Sequence, residues 1–382
     1  KTEVFDRYQR SEKALVVGLM EMYLEGVSTR KVTDVTEALC GTGFSKSTVS
    51  RLAGELDGDL AAWRDRRLDD VAYPYLVIDA RYEHVRIGGQ VVSQGVLIVK
   101  GVREDGHREL LAVDVADTES EATYDELFRR LKERGLRGVQ LVTSDDHRGL
   151  VAAIQRHFQG AAWQRCYVHF LRNAGGKVAR KHRNALMRDL KAVYAAPDAA
   201  WALELARDVV ERWSTTHPTL ARWIEDGIEA TLAHFSFPEA HRRKIRSTNG
   251  LERFNQEIKR RTRVVRIFPN REACLRLVTA LCVEQSEERL SGKRYLDICQ
   301  GTPTFPRLGD TIFPAGDAGH RLAAWASISL SRKLRPSMLT TWQWWRSRSR
   351  MAVARISSPA SMSGHWLMLL LLVMMVAPLS YR

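Results

Sequence analysis

Three carboxylates are spaced along the chain in a way that could hold a pair of metal ions. Asp79 follows the apolar run Tyr75–Ile78, and Asp145 follows a second predicted strand, Val139–Thr143. Residues two apart share a face of a strand, so the carboxylates converge if the two strands are neighbours. Hard cations take oxygen ligands, and two of them can hold the attacking and leaving oxygens of a phosphodiester. Glu252, on a predicted helix, is the candidate third ligand.

Each of these residues also has a purely structural interpretation. Aspartate at the end of a strand is common in turns, and Asp146 could cap the helix that follows. Glu252 comes three residues after Asn249, so it could complete a helix cap. Taken singly, the three positions leave both interpretations open.

The elements that would position these carboxylates follow from apolar periodicity. Three β-rich runs separated by glycine turns predict an antiparallel meander: Tyr75–Ile78, Val91–Val102 and Glu109–Val115, with turns at Gly88–Gly89 and Glu104–Gly106. A capping box at Thr118 and Glu121 predicts a helix with an apolar stripe of Tyr124, Leu127, Phe128 and Leu131 that stops at Gly135. The strand Val139–Thr143, a helix over His147–Phe158 and a strand over Ala161–Val168 complete a β-β-β-α-β-α-β order.

The later part of the chain is predicted to be helical. Residues 171 to 240 are strongly charged, with breaks at Pro197, Pro218 and Pro238, and a basic helix begins near Asn249.

The first 66 residues predict helices that could read DNA. The last of three helices begins at Ser45, and its outward face carries Lys46, Ser47 and Arg51. A helix, a short glycine-containing turn and a second helix with such a face are typical of a helix-turn-helix recognition unit. A small helical bundle with a solvated polar face is the alternative.

Composition narrows the class of protein. The chain has 382 residues, 45% hydrophobic and 27% charged, which excludes a chain disordered throughout. Its net charge of +14 favours a polyanionic partner such as nucleic acid, with an anionic membrane surface as the alternative. Five widely spaced cysteines argue against a disulfide framework and for a reducing cytosol.

The two ends depart from this pattern. The chain begins Lys1-Thr2-Glu3 without an initiating methionine, and we expect a longer protein upstream. Residues 297–382 contain no glutamate and five of the ten tryptophans, and the apolar run Trp366–Leu379 is shorter than a membrane span. We interpret this tail as a frame-shifted, aberrant basic and apolar segment; a basic nucleic-acid-binding tail is the alternative.

Several motifs resemble the mutator-type transposases of bacterial insertion sequences. They occur in the expected order over residues 1 to about 296: Asp79-Ala80-Arg81-Tyr82, Ser144-Asp145-Asp146-His147-Arg148-Gly149-Leu150, Arg165-Cys166-Tyr167-Val168-His169, and Ser247-Thr248-Asn249-Gly250-Leu251-Glu252-Arg253-Phe254-Asn255. The family often has proline where Gly250 stands.

The resemblance implies an α/β fold with an RNase H-like mixed sheet, flanking helices, a helical insertion and the amino-terminal helix-turn-helix domain. It also implies a catalytic Asp-Asp-Glu triad of Asp79, Asp145 and Glu252 that holds two Mg²⁺ ions, with Mn²⁺ as a possible substitute. The domains expected are residues 1–66 for DNA binding, 67–170 and 246–296 for the catalytic core, and 171–245 for the insertion, followed by the tail.

Further residues are expected to contribute to the site or to DNA binding. Lys259 lies two helical turns after Glu252 on the same helix face, and with Asn255 and Arg260 it is expected to contact DNA, although the basic run could equally be solvated. The roles of His147, Cys166 and His169 stay open, because two ligands make an incomplete zinc site.

The implied function is a DNA transposase that cuts the ends of an insertion sequence and transfers the strand to target DNA. The expected partners are double-stranded DNA, both the terminal inverted repeats and the target, and further copies of the chain. A bacterial cytoplasmic, nucleoid-associated protein that is not embedded in a membrane is expected. The alternatives are a decayed fragment that only binds DNA as a regulator, and a nuclease of the same fold that only hydrolyses.

Overall fold

A computed structural model describes residues 56–298 without interruption, together with Met22, Val27, Lys31, Val32, Asp34, Val35, Glu37 and Gly54. Contacts divide the chain into two compact units, and the larger, Leu19–Val35 with Gly43–Thr311, contains every described residue except Glu37. The expected DNA-contacting residues Lys46, Ser47 and Arg51, and residues 299–382 of the tail, lie outside the described residues.

Within the described part, a five-stranded mixed sheet forms the centre of the fold, in the order β3-β2-β1-β4-β5. Its strands are β1 Tyr75–Ile87, β2 Gln90–Val102, β3 Arg108–Ala116, β4 Leu141–Ser144 and β5 Ala162–Arg165. The first three strands pair antiparallel, whereas β4 pairs parallel with β1 and β5 parallel with β4. The predicted meander and the β-β-β-α-β-α-β order are confirmed.

Helices flank this sheet, and the chain between β5 and the last two helices of the described chain is also helical. Their bounds are α1 Asp57–Asp65, α2 Glu121–Glu133, α3 Arg148–His157, α4 Tyr167–Gly176, α5 Arg180–Val193, α6 Ala199–Ser214, α7 Pro218–Ile228, α8 Glu239–Ile245, α9 Asn249–Val265 and α10 Arg271–Leu290. Two short 3₁₀ helices, Glu229–Thr231 and Ala233–Ser236, connect α7 to α8. No helix in this part of the chain is long and apolar enough to cross a membrane.

The sheet is covered on both sides, so both sets of alternating residues are buried. We call one side the apolar face; it carries Leu76, Ile78, Leu97, Val99 and Val142. It packs against the stripe of α2, in which Tyr124, Leu127, Phe128 and Leu131 are all buried as predicted.

We call the opposite side the polar face; cross-strand register assigns to it Val77, Asp79, Lys100, Thr143 and Gln164. Its apolar members, such as Val77, pack against Leu251, Phe254 and Leu277 of α9 and α10. These two helices come last in the described chain, so residues distant in sequence cover this face.

Three predicted boundaries are wrong, each for a local reason. The first strand continues past Asp79 to Ile87, because Arg81, Glu83 and the residues around them pair with β2 before the turn at Gly88–Gly89. The cap of α2 is Ser120, whose hydroxyl accepts the Thr123 N–H at 3.3 Å, and not Thr118. Finally, β5 ends at Arg165, since Cys166 is already the N-cap of α4.

Candidate active site

Asp79 and Asp145 occupy adjoining positions on neighbouring strands. The β1–β4 pairing runs to Val77 opposite Thr143, and two residues further along each chain Asp145 comes opposite Asp79. Asp145 is the first residue after β4, whereas Asp79 stays within β1, opposite Ile98 of β2. The two aspartates therefore lie at the point where β4 ends beside a strand that continues.

The Asp79 carboxylate is half-buried on the polar face and receives a hydrogen bond from α9. Asn255 Nδ2 donates to Asp79 Oδ2 at 2.7 Å. The pKa of Asp79 is raised to about 6, mainly by burial; the charges of Glu252 and Asp145 also raise it, while that of His169 lowers it. The three carboxylates and His169 thus act on one another electrostatically, as the sequence prediction requires of a shared site.

Glu252 lies in the first turn of α9, and its carboxylate points to side chains of α4. Arg172 Nη2 lies 3.0 Å from Glu252 Oε1, and His169 Nε2 lies 3.4 Å from the same oxygen. Thr248, the residue before α9, caps the helix without a side-chain hydrogen bond. These contacts with Arg172 and His169 favour the site interpretation of Glu252 over the capping interpretation.

Cys166 and His169 link this carboxylate to the start of α9. The Thr248 backbone N–H and hydroxyl both lie 3.4 Å from the fully buried Cys166 Sγ. Burial opposes ionisation of this thiol, but hydrogen bonds from His169 and Thr248 lower its pKa overall. Hydrogen bonding to Cys166 in turn raises the pKa of His169 to about 9, against the effect of burial. Each group of the pair therefore favours the charged form of the other.

Cys166, His169 and Arg172 recur every three residues, so they form one row along α4 that faces Thr248 and Glu252. Sequence reasoning left the first two without a role and passed over Arg172 and Thr248. The spacing of Cys166, His169 and Arg172 was visible in the sequence. What the row faces was not, because Thr248 and Glu252 come about 80 positions later.

The other expected residues fall into two groups. Asn255 joins the site through Asp79, whereas Lys259 and Arg260 are exposed further along α9, and Arg260 Nη2 lies 2.7 Å from Glu257 Oε1. His147 precedes α3; its Nδ1 is buried and has no hydrogen-bond partner among the residues that the structure describes, and its ring centroid lies 6.3 Å from that of Tyr124.

Asp146 does not cap α3; its carboxylate lies 3.0 Å from Arg165 Nη2 instead. Asp114, an aspartate of β3, pairs with Arg130, and its register with Leu97 assigns it to the apolar face. Neither carboxylate competes with Asp145 for a place beside Asp79.

The donor set fits a hard divalent cation in its chemistry. Three carboxylates supply only oxygen ligands, and burial and mutual repulsion raise the pKa of Asp79, which a bound cation would reverse. No group of three histidine, cysteine, aspartate or glutamate side chains in the described ranges is already gathered around one point that could hold a metal ion. The three carboxylates are therefore suitable ligands that would have to move closer together to share an ion.

Comparison with known proteins identifies the family. The profile described as "Transposase, Mutator family" matches residues 1–291. This chain belongs to the Mutator family of transposases. The resemblance inferred from the motifs is thereby confirmed.

Relatives within the Mutator family carry the same kind of name. The transposase for insertion sequence element ISRM5 of Rhizobium meliloti is 50% identical over 297 residues, 78% of this chain and 74% of the relative. The transposase for IS406 of Burkholderia multivorans is 44% identical over 75% of this chain and 74% of the relative. Among solved structures, the Drosophila P element transposase strand transfer complex is similar over 74% of this chain and 81% of that chain, with a TM-score of 0.31 and 12% identity.

Proposed function

We propose that this transposase cleaves the ends of its insertion sequence and joins them to target DNA through a triad of Asp79, Asp145 and Glu252. The observation that carries the proposal is the adjoining register of Asp79 and Asp145 beneath α9, whose first turn contains Glu252. The family membership supports the reaction, and the electrostatic coupling of the three carboxylates supports the residues.

We further infer that the sheet belongs to the RNase H-like class. The support is the strand order β3-β2-β1-β4-β5, with three antiparallel strands followed by two parallel to β1, and carboxylates on β1 and just after β4. The helices α4 to α8 then correspond to the insertion between the second aspartate and the glutamate. A helix-turn-helix domain in residues 1–66 remains a prediction.

Two Mg²⁺ ions, or Mn²⁺ in their place, would be held by the triad and would supply Lewis-acid activation of water and of the phosphodiester. The chain's own contribution is to orient the ligands. One oxygen of each carboxylate is held: Asn255 donates to Asp79, the Asp146 N–H donates to Asp145 Oδ1 at 2.8 Å, and Arg172 lies beside Glu252.

The row on α4 has a positioning role in this proposal. Cys166 fixes the backbone at Thr248, and His169 with Arg172 fixes the carboxylate four residues later. Together they set the direction in which Glu252 leaves α9. Such surrounding contacts orient metal ligands in other proteins.

Double-stranded DNA is the proposed partner, both the inverted repeats and the target. The support is the net charge of +14 and the exposed basic side chains Arg172, Arg253 and Lys259 on the helices that carry Glu252 and its partners. Because two ends of one element must be joined, a homo-oligomer is expected.

A strand-transfer assay tests the function. A labelled duplex ending in the inverted repeat found beside the gene is incubated with protein, Mg²⁺ and a supercoiled plasmid. Joined product that requires Asp145 supports transposition. Cut ends without joining would support a hydrolytic nuclease, and binding without either reaction would support a DNA-binding regulator.

A further inference from the structure

Lys100 is a buried lysine that contacts no carboxylate among the described residues. It lies on the polar face of β2, and its side chain is 1% exposed. Among the described residues its ammonium makes no hydrogen bond or ion pair. It packs against the start of α9 so closely that a Cβ on Gly250 would lie 2.4 Å from Lys100 Nζ.

Two arginines surround the same point. Arg108 Cζ lies 4.4 Å and Lys100 Nζ 5.9 Å from the centroid of the Tyr295 ring. Arg289 Nη1 is buried with no hydrogen-bond partner in the part of the chain described here. We call Lys100, Arg108, Arg289 and Tyr295 the Tyr295 cluster.

The charges of the Tyr295 cluster oppose one another. Burial, followed by repulsion from Arg289 and Arg108, lowers the pKa of Lys100 well below its ordinary value, and Asp79 offsets this in part. Burial and the charge of Arg108 likewise lower the pKa of Arg289 to about 10, with the neighbouring Glu288 acting in the other direction.

Desolvated cations of one sign are costly unless an anion accompanies them. Within the described chain, Lys100 and Arg108 lie over the ring of Tyr295 and Arg289 lies over that of Phe254, and such π contacts offset only part of a full charge. The start of α9 adds the positive end of a helix dipole at Gly250. Within the described residues, basic side chains thus gather at one point, and Asp79 is the acidic residue whose charge acts on Lys100.

The position of the Tyr295 cluster relative to the carboxylates indicates which kind of anion could bind there. Lys100 is opposite Val77, two residues before Asp79 on β1, and Gly250 is two residues before Glu252. Arg108 and Gly250 are half-buried and Arg253 is exposed, so solvent reaches the rim above Lys100. A DNA strand that crosses the triad would pass this rim.

We propose that the Tyr295 cluster is an anion site that binds a phosphodiester group of the DNA strand next to the one that is cut. The position of this phosphate rests on the proposed function of the triad. The anion site itself rests on the buried nitrogens of Lys100 and Arg289, which have no hydrogen-bond partner within the described chain. Arg108 and the start of α9 would contact the phosphate, and Lys100 and Arg289 would supply the positive field beneath it.

The first test uses Lys100→Met and Arg289→Met, with Lys181→Met, an exposed lysine of α5, as matched control. Removing a buried polar nitrogen that has no hydrogen-bond partner in the described chain should raise the melting temperature of the free protein by roughly 2–4 °C. The same variants should bind the labelled terminal duplex about tenfold more weakly in Ca²⁺, and the slope of log K against log salt should fall by about 1. A purely structural role predicts the opposite: a lower melting temperature with unchanged DNA binding.

The second test locates the phosphate, and it decides the matter if a variant loses both stability and affinity. Single methylphosphonate groups, which carry no charge, are placed along the cleaved strand near the cut. Wild-type protein should lose affinity at a position adjacent to the cut, and Arg108→Gln should no longer distinguish that duplex from the unmodified one. Equal sensitivity in wild type and variant would overturn the proposal.

The outcome is separable from the proposed function. If Asp145→Asn abolishes cleavage while Lys100→Met and Arg108→Gln bind DNA as wild type does, the triad stands and the anion site is wrong. If the anion site behaves as expected while Asp145→Asn still cleaves, the triad is wrong and the Tyr295 cluster remains a DNA-binding site.

Discussion

The two faces of the sheet are built from alternating residues of the same strands, yet they differ in kind. On the apolar face, Leu76 and Ile78 belong to a cluster of buried hydrophobic residues, and the charges of α2, such as Arg129 with Glu126, remain at the surface. On the polar face, Asp79 and Lys100 lie beneath helices from the end of the described chain.

The difference shows how one strand supplies both stability and chemistry. Buried polar groups on the polar face need individual partners: Thr143 Oγ1 donates to Ile245 O at 2.6 Å, and Gln164 Nε2 donates to Thr231 O at 2.7 Å. A buried polar group left without its partner costs about 1–3 kcal/mol. The apolar face avoids such costs, whereas the polar face retains them where the substrate is expected.

The largest expected effect is the loss of cleavage activity when a carboxylate of the polar face is replaced. Asp79→Asn, Asp145→Asn or Glu252→Gln should reduce strand cleavage about a thousandfold, because loss of a metal ligand removes several kcal/mol of transition-state stabilisation. Single-turnover cleavage of the labelled duplex measures this. Asp114→Asn, a carboxylate of the apolar face, should cleave as wild type does; a comparable loss there would contradict the division into faces.

The apolar face should respond in stability instead. Phe128 is fully buried against Tyr124 and Phe158, and Phe128→Ala should lower the free energy of unfolding by about 3–5 kcal/mol. Urea titration followed by circular dichroism measures the loss. The remaining folded protein should cleave at the wild-type rate, and a reduced rate per folded molecule would mean that this face contributes to catalysis.

Residues of the row on α4 should affect the cleavage rate without being metal ligands themselves. His169→Gln and Cys166→Ala should each lower the cleavage rate about 10–100-fold, because Glu252 loses its orientation. Cys166→Ser should recover part of the rate by accepting the Thr248 hydrogen bonds again, and the metal concentration for half-maximal thermal stabilisation should rise in Cys166→Ala. The control is Cys274→Ala, which removes a buried thiol of α10. It should lower the stability of the protein and leave the cleavage rate unchanged.

The smallest expected effect is a pH dependence at the outer end of the polar face. His234 is buried beside Gln164, and burial lowers its pKa from 6.5 to about 4. Below pH 6.5 the unfolded chain takes up a proton that the folded chain refuses, so stability should fall by roughly 1–2 kcal/mol between pH 7 and pH 5. Melting temperatures across this range should lose that dependence in His234→Gln and keep it in His84→Gln.

The apolar face was largely predictable and the polar face only in part. Periodicity identified the stripe of α2 and the strand order, since both depend on local alternation and burial. It ended β1 at Asp79, because the charged residues up to Arg86 do not look like a strand until β2 pairs with them. The row on α4 depends on contacts with residues far along the chain.

Lys100 could have been noticed from sequence. It is the one charged residue in the run Gly95–Val102, where a buried strand should contain none. Its proximity to Gly250 and Tyr295 could not have been inferred, since neither spacing nor propensity relates those positions. The expected domain boundary at residue 296 was inferred from local composition alone. Composition does not reveal the contacts made there, where Leu296 is 2% exposed and the Asp297 carbonyl lies 3.2 Å from His241 Nε2.

The last described residues return to the turn between β2 and β3, where the Tyr295 and Leu296 N–H groups both bond to the Gly106 carbonyl at 2.8 and 3.1 Å. A growing polypeptide makes that turn early and must wait for nearly 200 further residues to leave the ribosome before the turn is covered. Nascent chains stopped short of Leu296 would keep Tyr75 and Val102 without one of their packing partners. The cluster around Tyr75 and Val102 is therefore completed only once Leu296 has been made.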